Sequence, residues 1–114
     1  MHEVDLTPDI PLCLSCNKPL RPDIVWFGET PYMMDDIFYG LSQSTLFMTV
    51  GTSGNVYPAA YLITQAKQKG AKTIGVNLAK PENSYYIDYF YQGKSGEILP
   101  ELVKNIIQNS ELII

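Results

Sequence analysis

The chain has 114 residues, 46% of them hydrophobic and 18% charged, with a net charge of −4 and two cysteines. That length is one domain or a piece of one, able to bury roughly 65% of its unfolded surface, and the composition excludes the disordered class. The acidic balance excludes a phosphate-tracking nucleic-acid binder, whose footprint would be basic, and no apolar run is long enough to cross a bilayer. A small molecule or a peptide is the expected partner. Residues 1–11 lack the basic start and apolar stretch of a signal peptide, which points to the cytosol.

Residues 1–11 have no periodicity and read as loop. Cys13-Leu14-Ser15-Cys16-Asn17-Lys18-Pro19-Leu20 has the form of a zinc knuckle, in which a tight turn lets two thiolates reach one ion. A structural zinc site needs four ligands, and this chain supplies two cysteines. His2 reads either as a third ligand or as a solvated terminal histidine. A thioredoxin-like role fits poorly, because Pro19 and Pro22 follow where a helix would have to begin. The pair is half of a zinc site or no site.

A strand is expected over 24–27, within Leu20-Arg21-Pro22-Asp23-Ile24-Val25-Trp26-Phe27-Gly28-Glu29. Thr30 is a good helix N-cap and Pro31 suits the first helical position, with Asp35 and Asp36 near the positive end. Met34, Ile37, Phe38 and Leu41 then define one apolar helix face. Leu46-Phe47-Met48-Thr49-Val50 is a continuous apolar run, read as a parallel strand buried on both faces. It leads into Gly51-Thr52-Ser53-Gly54-Asn55-Val56-Tyr57-Pro58, a small-residue turn. Such turns lie at the carboxyl ends of strands, where ligands bind in open α/β sheets. Gly51 and Gly54 allow close approach to the main chain, and Thr52 and Ser53 offer hydroxyls. The turn reads as a nucleotide-facing loop or, equally, as an ordinary strand-to-helix turn, since it lacks the G-x-G-x-x-G fingerprint.

A helix over 57–69 places Ala59, Leu62, Ile63 and Ala66 on one stripe, and Gly70 ends it as a left-handed cap. The strand 73–78 completes a βαβ unit. Asn77 at its carboxyl end can bind ribose hydroxyls, or can merely cap the polar loop 79–84. A short strand over 87–91, the turn Gly93-Lys94-Ser95-Gly96 and a helix over 97–109, with a wide apolar face of Ile98, Leu99, Leu102, Val103, Ile106 and Ile107, complete the chain, with strand order open. No nucleophile–histidine triad can be assembled from a single histidine at the start. Asp35 and Asp36 are adjacent on a helix and do not converge, so they read as a solvated helix start. Glu29, after Phe-Gly, orients a backbone or substrate, or makes a plain salt bridge.

Taken together, these residues resemble the sirtuin family of NAD-dependent protein-lysine deacylases. The resemblance rests on Cys13-x-x-Cys16, Leu20 to Glu29, Gly51-Thr52-Ser53-Gly54-Asn55-Val56-Tyr57-Pro58-Ala59-Ala60, Val76-Asn77-Leu78 and Leu99-Pro100-Glu101-Leu102-Val103, in order along nearly the whole chain. The form of the glycine loop is most similar to the bacterial and mitochondrial group that removes acetyl and succinyl groups. The resemblance implies an α/β fold: the C-terminal part of a Rossmann-like parallel sheet with flanking helices, residues 23–114, preceded by half of a zinc ribbon, residues 1–22. It implies that Gly51, Thr52 and Ser53 line an NAD pocket, that Asn77 and Leu78 hold the adenosine ribose, and that Ser95 sits near the adenine. It implies that Phe27-Gly28-Glu29 and Val56-Tyr57 flank an acylated lysine peptide, added as a strand, with the Val25 carbonyl accepting the acyl-lysine N–H. Cys13 and Cys16 would be the second pair of a four-cysteine zinc site, incomplete here. The family's glycine-rich loop, catalytic His-Gly and first cysteine pair have no counterpart, and His2 stands in the wrong place to replace the histidine. The expectation is therefore a sirtuin C-terminal half that is inactive alone. The alternatives are half of a split deacylase, active with an N-terminal partner, or a non-catalytic acyl-peptide or nucleotide-binding module.

Overall fold

A computed structural model describes residues 4–109, which form two compact units dividing between Tyr32 and Met33. His2 lies outside the described residues. Among its described residues the first unit has no helix, and its framework is a hairpin around the cysteine pair. Leu12 bridges Pro19 in antiparallel fashion, and the Leu20 N–H donates to the Pro11 carbonyl at 2.8 Å. The turn is closed by the Asn17 N–H to the Cys13 carbonyl at 2.8 Å, with Asn17 in the left-handed region at φ 58°.

The strand expected over 24–27 does not form. Its apolar composition is strand-like, but side chains occupy backbone groups that a ladder would need. Arg21 Nη2 donates to the Ile24 carbonyl at 2.8 Å, and the Trp26 N–H donates to Glu29 Oε1 at 3.1 Å. The Glu29 N–H closes a turn on the Trp26 carbonyl at 3.0 Å, with Gly28 at φ 85°. Local side-chain bonding has displaced sheet pairing.

The second unit is a parallel sheet of three strands, β1 (Leu46–Val50), β2 (Lys72–Asn77) and β3 (Tyr89–Gln92), in the order β1-β2-β3. Helices α1 (Met34–Gln43) and α2 (Ala59–Gln68) share one apolar cluster with β1, and α3 (Ser95–Asn109) packs with β2 and β3 in another. On the first face Leu41, Ala66 and Ala71 are buried against Ile37, Phe47 and Leu62. On the second, Ile74, Val76 and Leu102 are buried among Met48, Tyr89, Tyr91, Ile98, Leu99 and Ile106. Fully burying each such aliphatic side chain contributes about 1.5–3 kcal/mol. Packing of this order outweighs the roughly 3 kcal/mol penalty of a proline in a helix interior, which is how α3 accommodates Pro100.

Several element bounds differ from expectation. Helix α1 starts at Met34, not Pro31, because Met33 before it adopts the left-handed conformation at φ 60°; Thr30 does not cap it. Phe38, expected on its inner face, is half exposed at 39%. Helix α2 is shorter than 57–69, and its inner stripe carries Ala60 instead of Ala59, together with Ile63 and Ala66. Its end is a Schellman cap: Gly70, at φ 91°, donates its N–H to Lys67 at 3.0 Å, and Ala71 donates to Ala66 at 3.0 Å. Strand β1 has the expected bounds but is not buried on both faces. Leu46 and Val50 are 38% and 41% exposed, because β1 pairs with β2 alone among the described residues. The buried parallel strand is β2, whose four central residues, 73–76, are buried between an exposed Lys72 and a half-buried Asn77. Strand β3 starts two residues later than expected and α3 two residues earlier, and Val103 and Ile107 of the predicted apolar face are exposed.

A polar cluster ties β2 to the segment before β3. Thr73, fully buried, donates its hydroxyl to the Tyr86 carbonyl at 2.6 Å and accepts the Asp88 N–H at 2.8 Å. Asp88 Oδ2 accepts the Thr73 N–H at 3.0 Å, and its Oδ1 pairs with Lys67 of α2 at 2.8 Å.

Candidate nucleotide site and cysteine hairpin

Because all three strands are parallel, their carboxyl ends lie at one edge of the sheet, and three connections converge there. Gly51 leaves β1 at φ 65° and donates its N–H to the Val76 carbonyl at 3.0 Å, so the loop begins by bending over the end of β2. Asn77, the last residue of β2, donates Nδ2 to the Thr52 carbonyl at 2.7 Å. Its amide therefore clasps the loop after β1, while Oδ1 accepts no hydrogen bond among the described residues. The Asn77 carbonyl accepts the Gly93 N–H at 2.9 Å, which binds the turn after β3 to the same strand end.

The loop is further fixed by its own side chains. The Gly54 N–H donates to Thr52 Oγ1 at 3.2 Å, and Ser53 Oγ donates to Asn55 Oδ1 at 2.6 Å. The Ser53 carbonyl accepts the Glu82 N–H at 2.9 Å. Gly54 is buried at φ 75°, and a Cβ there would collide with Asn83 Oδ1. Asn83 in turn donates Nδ2 to the Ala60 carbonyl at 3.2 Å.

Between these connections lies a cavity of about 380 Å³. Gly51 contributes from the end of β1, Val76, Asn77 and Leu78 from β2, and Gly93, Lys94, Ser95 and Gly96 from the turn into α3. Space beside Gly51 and Gly96 is open, with no atom within 4 Å of a Cβ built at either. Helix α3 starts at this wall, and its positive end favours negative charge there. Lys94 is the one charged residue of the lining. The cavity thus offers bare backbone, one amide oxygen, one hydroxyl and one cation, a donor set suited to a hydroxylated, anionic small molecule such as a nucleotide.

Of the six sequence-predicted cofactor residues, the structure brings Gly51, Asn77, Leu78 and Ser95 together around this cavity. Thr52 and Ser53 are not in its lining, and their hydroxyls bond within the loop. Gly93, Lys94 and Gly96 also line it, from a segment whose sequence marks only a turn; the glycine–cation pattern before a helix is the available signal. Val56 and Tyr57 are exposed, at 46% and 69%, and Tyr57 borders a second cavity of about 200 Å³ with Glu82, Asn83 and Tyr86.

In the first unit, the expected peptide-facing residues form a loop held by Arg21. Arg21 Nη2 meets Glu29 Oε1 at 2.8 Å, and its guanidinium lies 5.8 Å from the Trp26 ring centre. Glu29 therefore both pairs with a cation and orients the Trp26 backbone. The Arg21 guanidinium, and after it the Trp26 N–H, hold its carboxyl below the ordinary value. Phe27 is left 91% exposed at the loop tip, and the Val25 carbonyl accepts no hydrogen bond among the described residues.

Cys13 and Cys16 are free thiols, the first half-buried and the second exposed. The Cys16 N–H, and after it that of Ser15, draws the Cys13 thiol below its ordinary value, as suits a metal-binding thiolate. Two thiols on one tight turn fit half of a tetrahedral zinc site. Among the described residues no group of three or more His, Cys, Asp or Glu side chains converges, and no helix is long and apolar enough to cross a membrane.

Comparison with known proteins gives a consistent result. A family model described as the Sir2 family matches residues 2–58. A curated NAD-dependent protein deacylase of Shewanella oneidensis is 46% identical over 95 residues, covering 83% of this chain and 39% of the relative. Among solved structures, a mutant Sir2 homologue in complex with ADP-ribose superposes with a TM-score of 0.82 at 33% identity, covering 95% of this chain and 44% of that one. A complex described as Sir2, a p53 peptide and NAD+ superposes with a TM-score of 0.74 at 31% identity, covering 87% of this chain and 42% of that one. The chain spans about two fifths of the length of the curated relatives it matches.

Proposed function

The chain belongs to the Sir2 family, the sirtuins, and from that premise we propose that it carries the adenosine-binding and acyl-peptide-facing part of an NAD-dependent protein deacylase. The observation that carries the reading is the cavity at the carboxyl ends of β1, β2 and β3, with Gly51, Asn77, Leu78 and Ser95 in its wall. Asn77 Oδ1 accepts a ribose hydroxyl proton while Nδ2 keeps the Thr52 loop in place, so one amide both positions the loop and reads the sugar. Gly51 lets the nucleotide lie against the main chain, and Ser95 stands by the adenine at the start of α3. NAD, when bound, supplies the ribose to which the acyl group is transferred. Thr52 and Ser53 belong to the same loop and face the cofactor once their internal hydrogen bonds are exchanged.

The acylated lysine peptide or protein is the second ligand. In the first unit the loop Phe27-Gly28-Glu29, stiffened by Arg21, with the Val25 carbonyl as acceptor, is assigned to the peptide, and in the second unit Val56-Tyr57 is assigned to it as well. Cys13 and Cys16 supply two of the four ligands of a structural zinc ion. The 114-residue chain alone does not turn over, because its one histidine is His2 and no general base is available to a ribose hydroxyl. A deacylase completed by a separate N-terminal half is the second reading, favoured by the outer edge of β1, which pairs with no strand among the described residues.

The test combines a calorimetric titration of the folded chain with NAD and mass spectrometry of acetyl-lysine and succinyl-lysine peptides incubated with chain, NAD and zinc. NAD binding without product above the no-NAD control is expected. Product would overturn the inference from the missing base. A folded chain that ignores NAD would overturn the nucleotide assignment.

A further inference from the structure

Residues 21–29 form neither helix nor strand, yet the backbone on both sides of Val25 is tied down locally. The Ile24 N–H donates to the Pro22 carbonyl at 2.9 Å, and the Ile24 carbonyl accepts Arg21 Nη2 at 2.8 Å. The Trp26 N–H donates to Glu29 Oε1 at 3.1 Å, and the Trp26 carbonyl accepts the Glu29 N–H at 3.0 Å. Val25 itself makes no backbone hydrogen bond among the described residues, so it stands as one open residue between two occupied ones. A single guanidinium organises this pattern. Arg21 Nη2 serves the Ile24 carbonyl and Glu29 Oε1, each at 2.8 Å, Nη1 lies 3.4 Å from Glu29 Oε2, and the group is 5.8 Å from the Trp26 ring centre. The Arg21 and Glu29 side chains are 55% and 44% exposed, so as an ion pair they add little to stability. Their effect is on shape, because one planar fork engages three residues of the loop at once. A lysine ammonium is a point charge on a flexible stem and cannot do the same.

We propose that Arg21 is a positioning residue for the acylated peptide: acting through the Ile24 carbonyl and Glu29, it holds the Val25 carbonyl in the orientation that accepts the acyl-lysine N–H. The inference rests on the peptide reading above and names the residue that sets its geometry. An acceptor held in place beforehand spares the complex the cost of ordering the loop when the peptide arrives.

The test is fluorescence anisotropy of two labelled peptides titrated with the full chain, with Arg21→Gln and with Arg21→Lys. One peptide carries acetyl-lysine, and the other carries acetyl-lysine with a methyl group in place of the hydrogen on the acylated nitrogen. Trp26 is the one tryptophan of the chain, so its quenching by acrylamide reports this loop alone, while circular dichroism confirms that the second unit is folded. The parent chain should prefer the peptide that keeps its N–H. Both variants should bind that peptide about threefold to tenfold more weakly, lose the preference over the methylated one and show stronger Trp26 quenching. Undiminished binding by Arg21→Gln would refute the positioning role while leaving the peptide reading in place. Full affinity of Arg21→Lys would show that charge suffices and the fork does not matter. A preference for the N–H that survives Arg21→Gln, or weaker binding with unchanged Trp26 quenching, would mean that Arg21 does not act through the Val25 carbonyl. A folded parent chain that binds neither peptide would remove the peptide reading itself.

Discussion

Replacing Gly54 by alanine tests whether the cavity wall is preformed. Gly54 sits at φ 75°, a conformation that costs a residue with a Cβ about 1–2 kcal/mol. The new methyl would also fall against Asn83, whose side-chain Cγ lies 2.7 Å and backbone N 3.1 Å from the Cβ position. Asn83 has to move, and in moving it loses its hydrogen bond to the Ala60 carbonyl, 3.2 Å away, worth about 0.5–1.5 kcal/mol. The two effects act on one small region and together destabilise the second unit by about 2–3 kcal/mol. Gly40 provides the control, since it lies inside α1 with nothing within 4 Å of a built Cβ. Gly40→Ala removes only helix-interior backbone entropy and stabilises by about 0.5–1 kcal/mol. Urea unfolding followed by circular dichroism measures both variants under identical conditions. A Gly54→Ala midpoint within about 0.5 kcal/mol of the parent would mean that the loop yields freely, and the claim of a rigid wall would fall.

Further substitutions probe the connections around the same strands. Asn77→Ala frees the Thr52 carbonyl and removes the acceptor assigned to ribose; NAD affinity should fall at least tenfold in calorimetry, with about 1 kcal/mol lost from stability. Unchanged affinity would exclude Asn77 from the site. Asp88 gives a pH dependence, because the Lys67 ammonium, and after it the Thr73 N–H, hold its carboxyl below the usual 3.8. A depressed folded value means that the group stabilises the fold above pH 3.8 and that this contribution disappears as pH falls through the folded value. Asp88→Asn should therefore cost about 1 kcal/mol at neutral pH, allowing for solvent screening of a partly exposed pair, and nothing at the acid end of a urea–pH series. A deficit that persists at low pH would show that charge is not what Asp88 contributes.

What the sequence reveals here depends on how local the controlling interaction is. The bounds of β1 are legible because five consecutive apolar residues end at a glycine, and the cap of α2 because Gly70 follows a helical stripe. The place of Asn77 at the carboxyl edge of the sheet is legible because it follows from the βαβ pattern. The segment 24–27 is misread for the opposite reason. Ile24, Val25, Trp26 and Phe27 have strand composition, and the interactions that override it come from Arg21 and Glu29, eight residues apart. The cluster of Lys67, Thr73 and Asp88 joins residues up to 21 apart, and no periodicity marks it. The start of α1 is displaced by the left-handed Met33, whose side chain gives no sign of that conformation. Lys94 is not legible because Gly-Lys-Ser-Gly has the composition of any polar turn; its place as the one charged residue of the cavity lining emerges only when the strand ends are assembled.

The outer edge of β1 connects fold to behaviour in solution. Parallel strands in doubly wound sheets are ordinarily covered on both faces and paired on both sides, and β2 meets that description here, while β1 does not. Among the described residues no strand pairs with its backbone N–H and C=O groups on the far side, and Leu46 and Val50 beside it are more than one-third exposed. No proline or bulge interrupts it, and none of its five residues is charged. Open apolar edges pair with other chains. The purified chain should therefore self-associate as its concentration rises, seen as an increasing weight-average mass in sedimentation equilibrium. Leu46→Lys places a charge on that edge at a half-exposed position and should shift the equilibrium toward monomer by about tenfold or more, with the cavity at the other end of β1 unaffected. A parent chain that remains monomeric across the same range would mean that the edge is protected, and the second reading, in which a separate half docks against it, would lose its structural support.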